Sequence, residues 1–95
     1  MLRLTPLSAR GYYMLGITIE RQKRIPEAMT AYQHSVDLDP RNVDSLTSLA
    51  TLYLYNGDTG RVIELLHRAA TIDPNHPSVQ VLKSDLQKMG VKVGE

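Results

Sequence analysis

Apolar residues recur along this chain at three- and four-residue steps, in five blocks separated by short breaks rich in Pro, Gly, Asn and Asp. That step is the period of an α-helix burying one stripe. In the first block Tyr12, Leu15, Gly16 and Ile19 share a face, which predicts a helix from about Ala9 to Gln22 with Ser8 as its N-cap. Gly16 costs about 1 kcal/mol of helix stability against alanine. The expected return is a close approach to a second helix, with Ala28 facing it. Lys23-Arg24-Ile25 reads as a turn, and Pro26 suits the first position of the next helix, where its missing N–H is not needed. That helix should end at Asp39-Pro40, because the residue before a proline leaves the helical region. Its buried stripe is Ala28, Tyr32, Ser35, Val36 and Leu38.

Asn42 stands where Ser8 stood and should cap a third helix, Val43 to Asn56. This helix is apolar on more than one face (Leu46, Leu49, Ala50, Leu52, Tyr53, Leu54, Tyr55), as expected of one buried between neighbours. Gly57 is a good left-handed terminator. Asp58 or Thr59 then caps a fourth helix reaching about Asp73. Pro77 opens a last helix to about Met89, with a stripe of Val79, Leu82, Leu86 and Met89 and a polar opposite side, closed by Gly90.

The blocks repeat. A shift of 34 residues lays Tyr12, Leu15, Gly16 and Ile19 on Leu46, Leu49, Ala50 and Tyr53, and Ala28, Tyr32, Ser35 and Pro40 on Val62, Leu66, Ala69 and Pro74. Pro6 precedes Pro40 by the same interval. Fixed self-similarity at this period marks a stacked repeat array. Tyr12-x2-Leu15-Gly16-x2-Ile19, Ala28-x3-Tyr32 and Pro40 resemble the tetratricopeptide repeat pattern. The second copy departs from it where Val62 replaces a small alanine and Leu46 a bulky aromatic. The resemblance implies an all-α, right-handed superhelical solenoid of antiparallel helix pairs. Residues 1–8 would be the tail of a preceding repeat, 9–42 and 43–76 two repeats, 77–89 a C-terminal capping helix and 90–95 a flexible tail. A chain that starts inside the last turn of a helix reads as a piece of a longer parent array.

Composition narrows the function classes. Net charge is +1, so no global field calls for nucleic acid or an anionic membrane. Residues 1–25 carry five basic side chains and one acid, which reads as a solvated solenoid edge. There is no cysteine, hence no disulfide framework, thiolate metal site or cysteine nucleophile; this suits a reducing, cytoplasmic setting. No apolar run approaches the ~18 residues of a membrane helix. Met1-Leu2-Arg3-Leu4 is too short and interrupted for a secretory signal. The basic start has features of a mitochondrial presequence, but the repeat register accounts for the same residues. His34, His67 and His76 lack carboxylates at metal-ligand spacing, and no nucleophile-elbow, phosphate-loop or dinucleotide motif occurs. No enzyme, metal, cofactor or small-molecule substrate is expected.

Protein contact is. The resemblance implies a concave groove lined by the first helix of each pair, binding a partner peptide or helix. By position its face is Arg10, Tyr13, Ile17, Glu20 and Arg21 on the first helix. The third helix adds Asp44, Thr47, Thr51, Leu54 and Tyr55, and the last adds Ser78, Val81, Asp85 and Lys88. Helical spacing supports this grouping independently. Tyrosine on an exposed face is favoured at interfaces because it is large and amphipathic. Some relatives of this fold grip a terminal carboxylate with basic and amide side chains; Tyr13, Ile17, Ser48, Ser78 and Leu82 stand at those positions, and none matches in type. Two other readings follow from the residues. Leu2, Leu4 and the first helix form an open apolar edge through which copies would self-associate, giving a homo-oligomer or a structural fragment of a longer scaffold. Arg21-Gln22-Lys23-Arg24 suggests an RNA-binding helical repeat, against which stand the constant period, the prolines and the near-neutral charge.

Overall fold

The computed structural model describes residues 7–91. Within them the chain forms five helices and no strand: α1 (Ala9–Arg21), α2 (Ile25–Leu38), α3 (Val43–Tyr55), α4 (Thr59–Ile72) and α5 (Pro77–Lys88). α1 pairs with α2 and α3 with α4; α2 joins the pairs by packing on α3, and α5 packs on both α3 and α4.

The first helix of each unit starts in the same way. Ser8 Oγ accepts from the Gly11 N–H at 3.1 Å, Asn42 Oδ1 from Ser45 N–H at 3.2 Å, and His76 Nδ1 from Ser78 N–H at 3.1 Å. The three caps are spaced by the repeat shift, and each satisfies one of the backbone donors a helix start leaves free, worth about 1 kcal/mol. Asp58 caps α4 through the Arg61 N–H at 3.3 Å. No side chain caps α2. Pro26 is its second residue rather than its first, still within the turn whose N–H groups have no helical partner.

Helix ends repeat as well. Asp39 and Asp73 are both extended, with φ −141° and −149°, before their prolines. Gly57 and Gly90 end α3 and α5 with φ of 78° and 79°. Lys23 occupies the slot of Gly57 one repeat earlier and adopts φ 64°. A side chain in that left-handed region costs about 1–2 kcal/mol, so the first turn carries strain that the second avoids.

The core runs along the inner stripes. Ala28, Leu46, Ala50, Leu52, Val62, Ala69, Val79 and Leu86 are fully buried. Gly16 does allow close approach, but Tyr32 fills the space and not Ala28: a Cβ built on Gly16 would lie 2.6 Å from two Tyr32 ring carbons. Two polar side chains tie three helices together. Ser35 Oγ donates to the Ala9 carbonyl at 2.7 Å and accepts from Ser45 Oγ at 2.6 Å, with both serines fully buried.

Four expected core side chains lie elsewhere. Leu15 is 40% exposed, while its equivalent Leu49 is 1% exposed. The difference is α2, which covers α3; among the described residues no helix covers α1 on that side. Leu38 ends α2 at 57% exposure and is not among the side chains packed on the core. Met89 lies past the end of α5 and is 56% exposed. Tyr55, at the last residue of α3, is 68% exposed, so that helix is buried along most of its length but not at its end. Leu2, Leu4 and most of the 90–95 tail lie outside the described residues.

The Gly16 contact yields a prediction. Gly16→Ala gains about 1 kcal/mol of helix propensity but drives a methyl into a buried ring, at about 1–3 kcal/mol. The protein should lose thermal stability by several degrees; an unchanged or higher melting temperature would show that the α1–α2 spacing does not depend on this glycine.

Candidate functional site

The side chains expected to form one groove separate into two groups. On α3 and α5, Thr47, Thr51, Ser78, Val81 and Asp85 come together, joined by Leu82, around a cleft of about 280 Å³. The shift of 34 explains why, since Thr47 and Val81, and Thr51 and Asp85, are equivalent positions on neighbouring helices. Val81 is 61% exposed at the rim. Thr47 is buried in the wall, a correction to its reading as an open groove residue.

Three of the cleft's hydroxyl protons are already engaged, those of Thr47, Thr51 and Ser78. Thr47 Oγ1 donates to the Val43 carbonyl at 3.0 Å and Thr51 Oγ1 to the Thr47 carbonyl at 2.9 Å, both one turn back on α3. Ser78 Oγ donates to Asp44 Oδ1 at 3.4 Å, and His76 Nε2 lies 3.5 Å from the same oxygen. These long contacts bring the start of α5 against the start of α3. Each hydroxyl retains lone pairs as acceptors.

The α1 residues do not line this cleft. Tyr13 and Ile17 are half-buried against the core, and the Tyr13 ring lies 5.9 Å from that of Tyr32 at 45°. Their position beside Gly16 explains this: the large Tyr32 ring reaches α1 there, and its neighbours pack on it. Glu20 accepts from the Tyr32 hydroxyl at 2.7 Å, so it serves an internal contact. Arg10, Arg21, Asp44 and Lys88 are exposed, and Leu54 packs on the core. Burial pushes the Tyr32 phenol well above its usual range, and the bond and charge of Glu20 push it further; Ser48 acts in the other direction.

A second surface was not foreseen. A recess of about 460 Å³ lies on the α2 side and is lined by residues including Pro26, Met29, His34 and Tyr53. A neighbour of about 230 Å³ shares Gln33 and Tyr53 with it and reaches Arg61 and Arg68 on α4. Arg61 stacks over Tyr53, 5.5 Å from the ring centroid, and pairs with Asp58 at 3.2 Å. Tyr53 had been assigned wholly to the core, which hid this face. A signal was available in the equivalence of Tyr53 to Ile19, since an aromatic at that position reaches farther outward. His34 faces Tyr12 with ring centroids 4.9 Å apart. Among the described residues no group of three or more His, Asp or Glu is placed to hold a metal ion, and no helix is long and apolar enough to cross a membrane.

The helix pairs, their shared caps and their constant spacing define a helical repeat protein whose faces are built for contact. Two sequence models of the tetratricopeptide repeat match, over residues 9–42 and 31–64, and the chain belongs to the tetratricopeptide-repeat family. Repeats of this family are protein-interaction modules. The chain is 29% identical over 86 residues to photosystem I assembly protein Ycf3 of Synechococcus sp. (strain CC9605), covering 82% of this chain and 50% of that protein. It is 32% identical over 78 residues to human E3 SUMO-protein ligase RanBP2, covering 81% of this chain and 2% of that protein. Similarity to protein NPGR2 of Arabidopsis thaliana is 36% over 55 residues, or 58% of this chain and 7% of that protein. The chain thus spans half the length of the cyanobacterial relative and a small part of the other two.

Tyr32 gives the site a pH signature. Its phenol is raised in the folded state, whereas the unfolded value is about 10. Stability from this group is therefore fully present below about pH 10 and falls as the pH rises from there toward the folded value, because the unfolded chain loses its proton first. Chemical denaturation from pH 8 to 11 should show this fall, and Tyr32→Phe should flatten it; an equal slope in both proteins would refute the assignment to Tyr32.

Proposed function

We propose that the chain is a non-enzymatic protein-interaction module that takes an extended or helical segment of a partner protein along its α1, α3 and α5 face. In this reading residues 9–42 and 43–76 are the repeats, 77–89 is the cap, and 1–8 and 90–95 are flanking segments. The observation that carries the proposal is the open cleft between α3 and α5, with apolar Val81 exposed at its rim. Tyr55 stands exposed one turn beyond Thr51 on α3. Exposed aromatic and aliphatic side chains beside a recess provide the apolar anchors from which interfaces draw most of their affinity. The exposed charges Arg10, Arg21 and Asp44, with half-buried Asp85, orient the partner. A relative named as an assembly protein is in keeping with work done by contact.

The test is panning of a random heptapeptide phage library on the whole chain. Selected peptides should lose at least about tenfold in affinity on a Tyr55→Ala, Val81→Glu double variant whose helical circular dichroism is unchanged, about the effect of losing 1.4 kcal/mol of contact. Peptides that bind both proteins equally would refute the face assigned to binding.

A second reading is self-association through α1. Leu7, Met14 and Leu15 are 44%, 54% and 40% exposed, a run of large apolar side chains at one edge; Leu2 and Leu4, expected at the same edge, lie outside the described residues. In sedimentation the mass should rise with concentration and return to that of a monomer in Met14→Glu, Leu15→Glu. A wild-type monomer at hundreds of micromolar would exclude this reading.

A further inference from the structure

We propose that the α3–α5 cleft is a subsite for one cationic side chain, arginine or lysine, of the bound segment. The inference rests on the groove reading above and names the chemistry of one position within it. Three hydroxyls of the lining have their protons already committed. Thr47 and Thr51 donate back to their own helix, and Ser78 donates to Asp44. What these hydroxyls offer a ligand is lone pairs. Asp85 is the one charged residue of the lining. It is half-buried and has no ion-pair partner among the described residues; Lys88, three residues on, does not pair with it. One unpaired carboxylate beside three hydroxyls that can only accept favours a ligand rich in donors and positive in charge.

The rest of the lining fits the stem of such a side chain. Val81 and Leu82 supply apolar surface for the methylenes that lysine and arginine bury behind their charged heads. An anion is the contrary possibility, because α3 and α5 both start near one end of the cleft and helix starts favour negative charge. That end already has donors taken and carries a negative charge. Asn42 and His76 take backbone donors of the two helix starts, and Asp44 lies between Ser78 and His76 with its own negative charge.

The probe is a positional-scanning array of acetylated, amidated heptapeptides based on the phage-selected sequences, carrying Arg, Lys, citrulline, Leu or Glu at each position in turn. At one position Arg and Lys should bind about tenfold tighter than citrulline or Leu, the scale of a hydrogen bond to a charged group. Asp85→Asn, which keeps size and leaves no buried partner stranded, should abolish that preference with helical circular dichroism unchanged. Asp85→Lys should move it to Glu. Peptides that remain sensitive to Tyr55→Ala, Val81→Glu but show no Arg or Lys preference would overturn the cationic subsite and leave the groove standing. A preference that survives Asp85→Asn would place the cation elsewhere and also overturn it. Binding insensitive to the Tyr55 and Val81 changes would instead remove the groove reading on which the subsite rests.

Discussion

The Tyr32 ring occupies the space left where α1 has no side chain, and much of the architecture depends on that fit. Ring and helix backbone are in contact at Gly16, and the phenol ends on Glu20 of the same helix at 2.7 Å. One side chain thus fixes both the spacing of α1 and α2 and the relative position of the two along their length. Close packing demands that a change of volume on one side be matched on the other. The second pair keeps this rule with different residues: Ala50 stands at the glycine position and Leu66 at the tyrosine position, both buried. A smaller partner meets a larger wall. The shift of 34 conserves summed volume more closely than it conserves residue type.

With α1 held in this way, its first carbonyl reaches the next layer. Ser35 bridges Ala9 on α1 and Ser45 on α3, so the first junction between repeats is joined through buried hydroxyls. The corresponding positions at the second junction are Ala69 and Val79, both fully buried and apolar. Polar groups hidden from water are costly unless every one is bonded, while apolar replacements of both partners are nearly neutral. The two junctions are therefore alternative solutions to one geometry. The polar version fixes a single register, because displacement would strand two hydroxyls. The apolar version has no such bonds to lose, and it is made by α5, the helix that departs furthest from the repeat pattern.

Helix number, order and approximate ends were legible in the sequence, because prolines, glycines and cap residues recur at one interval. Reading a partner for each side chain was harder. Ala28 and Tyr32 lie one turn apart on the same stripe, and periodicity shows which face is buried but not which residue of it meets Gly16. His76 shares its slot with Ser8 and Asn42, yet imidazole is seldom a cap, so its type concealed what its position revealed. The cleft was legible through register, since Thr47 and Val81 are equivalents on adjacent helices. Tyr13 and Ile17 pack partly on the core, because a groove stripe and a core stripe are close together on one helix and both residues flank the glycine where the Tyr32 ring reaches α1. Leu15 shows a further limit: its repeat equivalent Leu49 is covered by α2, and a pattern of residues along one chain does not say whether a neighbour is present to cover α1.

The division of labour within the cleft follows from the same geometry. The α3 threonines bond back to the carbonyl one turn earlier, as the exposed threonines Thr18, Thr30 and Thr71 of the other helices also do, and in the cleft wall that bond occupies their protons. Satisfied in that way, the two threonines can offer a ligand only their lone pairs. Apolar contact at exposed Val81 and Tyr55 discriminates weakly among partners, since one methylene more or less changes affinity by about 0.8 kcal/mol. A lone half-buried carboxylate discriminates more sharply, because a like charge or an acceptor placed against it strips its water without compensation. On the proposed reading, affinity rests with exposed apolar side chains and selectivity with Asp85, a residue the packing of α3 against α5 has already placed in the cleft.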